Sequence, residues 1–458
     1  MCEQVTEKKH ENIIKTRDDF EPIFFSINPE NNKEFIIDSI NCAWCNDEKR
    51  VKISDLRQRI EPWLTSLFQS EHLSLLAGSG LTHAVHYIAA GKAAAGMNFT
   101  DFSHFNDEIK NAAKNSSKKA GRKEGNFEDQ IRIANELLKG LEILKDSKAD
   151  ELRQDICTKL EGLAKSVLSS ETGIALAEEE KRISAINCFV DFLLSFSSRT
   201  AARDRLHIFT TNYDRLIELG AEIAGLHLLD RFVGNLAPIF RSSRLDLDVH
   251  YNPPGIRGEP RYLEGVTRFT KLHGSIDWVE SGHQIRKIGV PFGVNNLDCY
   301  LKAPIFNVDH NKLMIFPNSS KDRETSEYPY VELFRDFAAA ICRPNSTIVT
   351  YGYSFGDEHI NRVIEDMLTI PSTHLVIISY DDPLGRIMKT YHKFGRSAQI
   401  TLLIGTHLGD FETLVKNYLP KSAIDRTTYK MAELLKSRIG TASVPTQNDA
   451  NSLIEEPK

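Results

Sequence analysis

The chain is poorest where a membrane protein or a nucleic-acid binder would be richest. No stretch reaches about 18 consecutive apolar residues, so the sequence offers no membrane-spanning helix. With 57 Lys and Arg against 63 Asp and Glu, the formal net charge is −6, which leaves no global basic field. Direct binding of nucleic acid is therefore not expected. Cysteine is sparse and odd in number: Cys2, Cys42, Cys45, Cys157, Cys188, Cys299 and Cys342. The opening residues MCEQVTEKKHENIIK hold no apolar secretory core. Reduced thiols and a cytoplasmic setting are the expectation. Proline is missing altogether between Pro62 and Pro238.

The composition itself is that of a globular protein, with 41% apolar and 26% charged residues over 458 positions. The proline-free interval is rich in Ala, Leu, Lys, Glu and Ile, all compatible with helix. FEDQIRIANELLKGLEILKDS, DICTKLEGLAKSVLSS and LAEEEKRISAINCFVDFLLSFSSRT space their apolar residues at three and four. Residues 101–200 read as a largely helical insertion. Within it, the polar run of residues 110–126 reads as a mobile loop. Outside it the pattern changes to short apolar runs, each followed by a turn and a helical stretch: Leu73–Ala77, Leu206–Thr211, Ser346–Tyr351, His374–Ser379 and Gln399–Ile404. Repeated buried strand, loop and helix predicts an α/β fold, a Rossmann-like doubly wound parallel sheet. Three regions are expected: an N-terminal appendage at 1–69, suited to assembly, an α/β domain at 70–430 that holds the motifs described next, and a largely disordered tail at 431–458.

Four motifs fall at predicted strand ends, where open parallel sheets bind ligands. The first is Gly78-Ser79-Gly80-Leu81-Thr82. Two glycines between a strand and a helix allow close approach of a phosphate to backbone N–H groups at a helix start. Thr82 adds a hydroxyl. The third glycine of the full dinucleotide fingerprint is missing, and a plain strand-to-helix turn explains the pair equally well. The second motif is Thr211-Asn212-Tyr213-Asp214. An Asn amide donates and accepts at once, which suits a ribose hydroxyl or an attacking water; a turn residue is the plainer reading, and Asp214 reads as a helix cap. The third is His273-Gly274-Ser275, where an imidazole suits general-base work near neutral pH. A packed histidine is the alternative. The fourth is Gly352-Tyr353-Ser354, which would lie beside the first glycine turn if their strands are neighbours; Ser354 then suits a phosphate or ribose oxygen. Asp357, just beyond, reads as an N-cap.

Taken in order, these residues resemble the sirtuin family. Its Gly-Ala-Gly-Ile-Ser turn is matched by Gly78–Thr82. Its Thr-Gln-Asn-Ile-Asp loop is matched by Thr210–Asp214, with Thr211 in the Gln place. Its catalytic His-Gly is matched by His273-Gly274, and its Gly-Thr-Ser loop by Gly352-Tyr353-Ser354. The GYSFGDEHIN form of that last loop resembles sirtuin-like proteins of bacterial antiphage defence. The resemblance implies hydrolysis of NAD, as substrate, to nicotinamide and ADP-ribose. Asn212 and His273 would be catalytic. Gly78, Ser79, Gly80, Thr82, Thr211, Asp214, Gly352, Tyr353 and Ser354 would bind the dinucleotide. It further implies an antiviral effector acting by NAD depletion in abortive infection, a homo-oligomer, and a partner ATPase or sensor protein. Departures from the family matter too. Cys42 and Cys45 form a single Cys-x-x-Cys pair, placed ahead of the glycine turn, so structural zinc is not expected. Ile378-Ser379 stands where the family has Ile-Asn, which puts the adenine-side contacts in question. An NAD or ADP-ribose sensing module without turnover remains an alternative, as does a protein deacylase, which the missing zinc pairs weaken.

Overall fold

The computed structural model describes residues 12–421 apart from 17, 32, 39–41, 43, 45–48, 95, 97–99, 120–126, 200–202, 244, 246, 253–260 and 316–327. The N-terminal strands are β1 (Asn12–Lys15), β2 (Ile23–Ile27), β3 (Glu34–Ile37) and β4 (Arg50–Lys52), followed by helix α1 (Ile53–Phe68). Strand β5 (His72–Ala77) leads through the first glycine turn into α2 (Ser79–Ala90). Four helices follow: α3 (Asn106–Lys119), α4 (Phe127–Leu144), α5 (Lys148–Ala175) and α6 (Glu179–Ser197). Next come β6 (His207–Thr210), α7 (Leu216–Ile223), β7 (His227–Leu229), β8 (Phe232–Val233), β9 (Ile239–Phe240), β10 (His250–Tyr251), β11 (Arg261–Tyr262), β12 (Val266–Lys271), β13 (Gly274–Ser281) and β14 (Gln284–Lys287). Then follow α8 (Asp298–Leu301), β15 (Leu313–Ile315), α9 (Tyr330–Ile341), β16 (Ser346–Tyr351), α10 (Glu358–Met367), β17 (His374–Ser379), α11 (Arg386–Phe394), β18 (Ile400–Gly405), the short α12 (Phe411–Thr413) and a π-helical turn (Leu414–Tyr418).

One 11-stranded sheet runs β4-β3-β2-β1-β18-β17-β16-β5-β6-β12-β7. From β18 to β7 every pairing is parallel. Strands β16, β17 and β18 are buried at every position, because helices cover both faces. That is why their sequences are continuous apolar runs rather than alternating ones. On one face, α1, α2, α6 and α7 contribute Leu64, Phe68, Val85, Phe192 and Ile217 to the core. On the other, α9, α10 and α11 contribute Phe337, Ile360, Ile364 and Tyr391. The expected α/β architecture is the observed one.

The strand order marks a candidate ligand site. From β5 the chain builds outward through β6, β7 and β12, then returns to lay β16 on the other side of β5. The order therefore reverses between β5 and β16, and the crevice at the carboxyl ends of such strands is where ligands bind.

The N-terminal strands continue the sheet in antiparallel fashion. β1 pairs with β18 from Asn12↔Gly405 to Lys15↔Leu402. The buried Lys15 ammonium donates to the Ser397 and Ile400 carbonyls, at 2.6 and 3.1 Å. Cys42 is disulfide-bonded, a departure from the reduced thiols expected from the odd count; Cys157, Cys188, Cys299 and Cys342 are free.

The helical insertion is present, but it does not lie on the main sheet alone. Leu152, Ile156 and Leu160 of α5 pack with Ile276, Val279 and Ile315 of a second, five-stranded sheet, β15-β13-β14-β9-β8. Residues 110–119 correct the loop expectation, since they belong to α3. Ile109, Ala113 and Ser117 recur at every fourth position and are fully buried, and Asp107 and Glu108 favour the helix start. The rest of that expected loop, 120–126, lies outside the described residues, as does the expected tail at 431–458. Among the described residues, no helix is long and apolar enough to cross a membrane.

Candidate active site

The four motifs follow the carboxyl ends of β5, β6, β12 and β16, and they converge. A cavity of about 300 Å³ is bordered by Gly78, Ser79, Thr82, Thr211, Asn212, Tyr213, Asp214, His273, Gly352, Tyr353 and Ser354. Gly80 borders a second cavity, of about 570 Å³, which shares Ser79, His83, Gly352, Ser354 and Arg386 with the first. Together the two form one crevice across the switch between β5 and β16. Both volumes fall within the roughly 300–1,000 Å³ common for small-molecule sites.

Backbone contact sets the floor of the crevice. Gly80 N donates to Gly352 O at 3.1 Å, and Gly78 N to Tyr351 O at 3.0 Å. A Cβ on Gly78 would stand 2.4 Å from Gly352 O, and one on Gly352, whose φ is +61°, 2.6 Å from Gly80 Cα. Only glycines let the two strand-end loops meet this closely. α2 then begins at Ser79 with no side chain capping it; Gly80 N and Leu81 N are taken by the Gly352 and Gly78 carbonyls.

Asn212 is fixed by its own amide. Its Nδ2 donates to Gly78 O at 3.0 Å and to Thr82 Oγ1 at 2.9 Å. The Thr82 hydroxyl passes its hydrogen to Asp214 Oδ2 at 2.7 Å, while Asp214 Oδ1 accepts from Leu216 N at 3.0 Å at the start of α7. Asp214 therefore does cap that helix, and also ends a relay that orients Asn212. Two consequences follow. The Asn212 amide hydrogens are used within the protein, which leaves Oδ1 as its accepting group. The Thr82 hydroxyl hydrogen is likewise directed at Asp214 rather than at a ligand.

His273 follows β12, and Gly274 behind it takes φ +87° where a Cβ would overlap Met314 O at 1.9 Å. Gly274 is thus required by the turn into β13. His273 Nε2 lies 2.9 Å from Asp357 Oδ2. Since a carboxylate accepts, Nε2 carries the hydrogen and Nδ1 is left able to take a proton. Asp357 is the expected N-cap, its Oδ1 accepting from His359 N and Ile360 N at the start of α10. Its second oxygen orients the histidine, a role the local sequence does not reveal. The Tyr353 hydroxyl lies 3.2 Å from Asp357 O and 3.1 Å from Asn361 Oδ1, so it braces α10, and burial pushes its phenol well up.

The insertion supplies the far wall. Glu128 of α4 and Leu163, Ser166, Val167 and Ser170 of α5 border the same cavity as Asn212 and His273. The Tyr213 hydroxyl donates to Glu128 Oε1 at 3.4 Å. One turn along α5, the buried Glu171 accepts from Arg215 N at 2.8 Å and from its guanidinium, which also holds the Val290 and Pro291 carbonyls. Burial pushes the Glu171 carboxyl up, and Arg215 works against that shift. The Asn212 loop and the insertion are thereby locked together. Lys271, buried two residues before His273, bonds Asp214 O and Glu218 and ties β12 to the same loop.

Sequence reasoning missed Asp357 as a partner of His273, Arg386, His83 and the α4–α5 wall. Burial, with His86 adding to it, pushes the His83 imidazole down, so it stands as a neutral group at the junction of the two cavities. Only Asp357 had a local signal, as a cap. Ser379 borders the second cavity with its hydroxyl turned to Asp381 O at 2.8 Å. Among the described residues, no group of three His, Cys, Asp or Glu side chains is arranged to hold a metal ion. No curated protein matches the chain. The family comparison does match: residues 206–403, from the strand before the Asn212 loop into β18, are similar to a SIR2-like domain.

Proposed function

We propose that this protein hydrolyses NAD at its nicotinamide bond. The observation that carries this reading is the wall of insertion helices around Asn212 and His273. A protein deacylase needs an open side through which an acyl-lysine reaches the nicotinamide ribose. Here Glu128, Leu163, Ser166 and Val167 stand around a cavity of about 300 Å³.

In this reading the C1′–N bond breaks and its electron pair returns to the nicotinamide nitrogen, which leaves neutral and needs no general acid. Positive charge builds on the ribose, as in other glycosidic cleavages. Asn212 Oδ1 accepts a hydrogen from a ribose hydroxyl or the incoming water. The water oxygen bonds to C1′, and His273 Nδ1 takes its proton while Asp357 stabilises the imidazolium formed. The products are nicotinamide, ADP-ribose and a proton. The biological setting that accompanies this reading is depletion of NAD during antiviral defence, with assembly or a partner protein as the restraint. Its support is the likeness of the GYSFGDEHIN loop alone.

The test is chromatography of NAD incubated with the protein, with and without an acetylated peptide. Nicotinamide with free ADP-ribose, independent of peptide, is the expected result. Peptide-dependent acetyl-ADP-ribose overturns the reading, and bound but uncut NAD indicates a sensor. His273→Ala should bind NAD and leave it almost uncut.

A further inference from the structure

The two cavities differ in character and meet at one point. The inner one holds Asn212 and His273. The outer one is bordered by Tyr87, Tyr380, Leu384 and Phe411, whose apolar surface suits a base. At the waist between them stand Ser79, Gly352, Ser354 and Arg386, which border both. Arg386 arrives from a different element than any of the four motifs. It is the first residue of α11, set there by the left-handed turn at Gly385, φ +63°. Its Nη1 comes within 3.1 Å, and Ser354 Oγ within 3.4 Å, of the point where a Cβ on Gly356 would stand. Guanidinium and hydroxyl therefore converge on one spot, and Ser79 at the start of α2 borders the same two cavities.

Charge sharpens the case. Among the described residues bordering the two cavities, Arg386 is the only lysine or arginine. Carboxylates stand on either side, Glu358 toward the inner cavity, and Asp381 and Asp410 toward the outer one. The cationic side chain of this border thus sits at the waist, with carboxylates flanking it. A ligand that fits this profile has two uncharged nucleoside ends and its negative charge concentrated between them.

We infer that Arg386 is the counter-ion for the diphosphate of a dinucleotide, held at the waist of the crevice by a forked guanidinium contact. The inference rests on the proposed reading for the identity of the dinucleotide, but its test does not depend on turnover. Calorimetric titration of ADP-ribose and of adenosine is compared for the wild type, Arg386→Gln and Arg386→Lys. Adenosine carries the outer nucleoside without the diphosphate. Loss of a charge-assisted contact weakens ADP-ribose by roughly 10- to 100-fold in Arg386→Gln, with an intermediate loss in Arg386→Lys. Adenosine affinity is unchanged in both. Equal ADP-ribose affinity in Arg386→Gln and the wild type overturns the inference. So does a parallel loss of adenosine, which marks a structural role, or a wild type that fails to bind ADP-ribose. A protein that shows the expected pattern but leaves NAD uncut sinks the proposed hydrolysis and leaves this inference standing.

Discussion

Asp357 serves two structures with two oxygens, and one substitution separates them. In Asp357→Asn, Oδ1 still accepts from His359 N and Ile360 N, which lie at 3.0 and 3.4 Å in the wild type. Asn caps a helix about as well as Asp, so the cost to α10 is small. The other side of the group changes character. An Nδ2 facing His273 Nε2 across the 2.9 Å contact donates, so Nε2 must accept and the ring hydrogen moves to Nδ1. The base is then blocked at the nitrogen that was to take the proton. A positioned general base contributes about 10² to 10⁴ in rate, or about 3 to 5 kcal/mol of barrier. Asp357→Asn is therefore expected to lose that factor in nicotinamide release while melting at the wild-type temperature. Asp357→Ala is expected to be as slow and also less stable, by roughly 0.5 to 2 kcal/mol for the missing cap. Steady-state turnover and thermal melts of the two variants decide the matter. An Asn variant with wild-type turnover refutes the assignment of His273 as an oriented base.

Three further outcomes follow from the geometry. Gly78→Ala should abolish ADP-ribose binding by calorimetry, because its Cβ meets the Gly352 carbonyl at 2.4 Å and backbone has no room to yield. Glu171→Ala leaves the Arg215 guanidinium buried without its carboxylate; denaturant unfolding should show a loss of about 3 to 5 kcal/mol, with turnover falling alongside. Burial, with Lys15 adding to it, pushes His374 down to about 4 from an ordinary 6.5. The unfolded chain takes up a proton between those values and the folded one does not, so the stability is full above the higher value and lost as pH falls toward the lower. Stability should drop by about 2 kcal/mol between pH 7 and pH 5 on this account, and His374→Gln should flatten the profile.

The parallel strands were legible because each is an unbroken apolar run ended by a polar or glycine turn, and such runs have one good home, a sheet covered on both faces. The motifs after them were legible for the same reason, since each sits where a strand stops. What stayed hidden required distance. Asp357 and His273 are 84 residues apart, and nothing near either announces the pair. The helical periodicity of α4 and α5 told that an apolar face exists, but not that it would close against the second sheet and wall the cavity. α3 was misread because lysines and serines outnumber its apolar residues; the stripe of Ile109, Ala113 and Ser117 is enough once α4 lies beside it. Arg386 belongs to no motif at all. Its place depends on where α11 starts relative to the crevice.

The strand order also separates two kinds of unit within this chain. The segment that carries family likeness, 206–403, contains β6, β12, β16 and β17 but not β5, which lies between β16 and β6 in the sheet. Cut out by itself, that segment would have a slot through its centre, two facing rows of unpaired backbone groups, and no glycine turn. Five helices, α2 to α6, separate the missing strand from the rest in sequence, yet it fills the middle of the fold in space. Any shortened chain meant to fold must therefore keep residues 72–77 with their turn, and the boundaries that matter for truncation are those of the sheet rather than those of the resemblance.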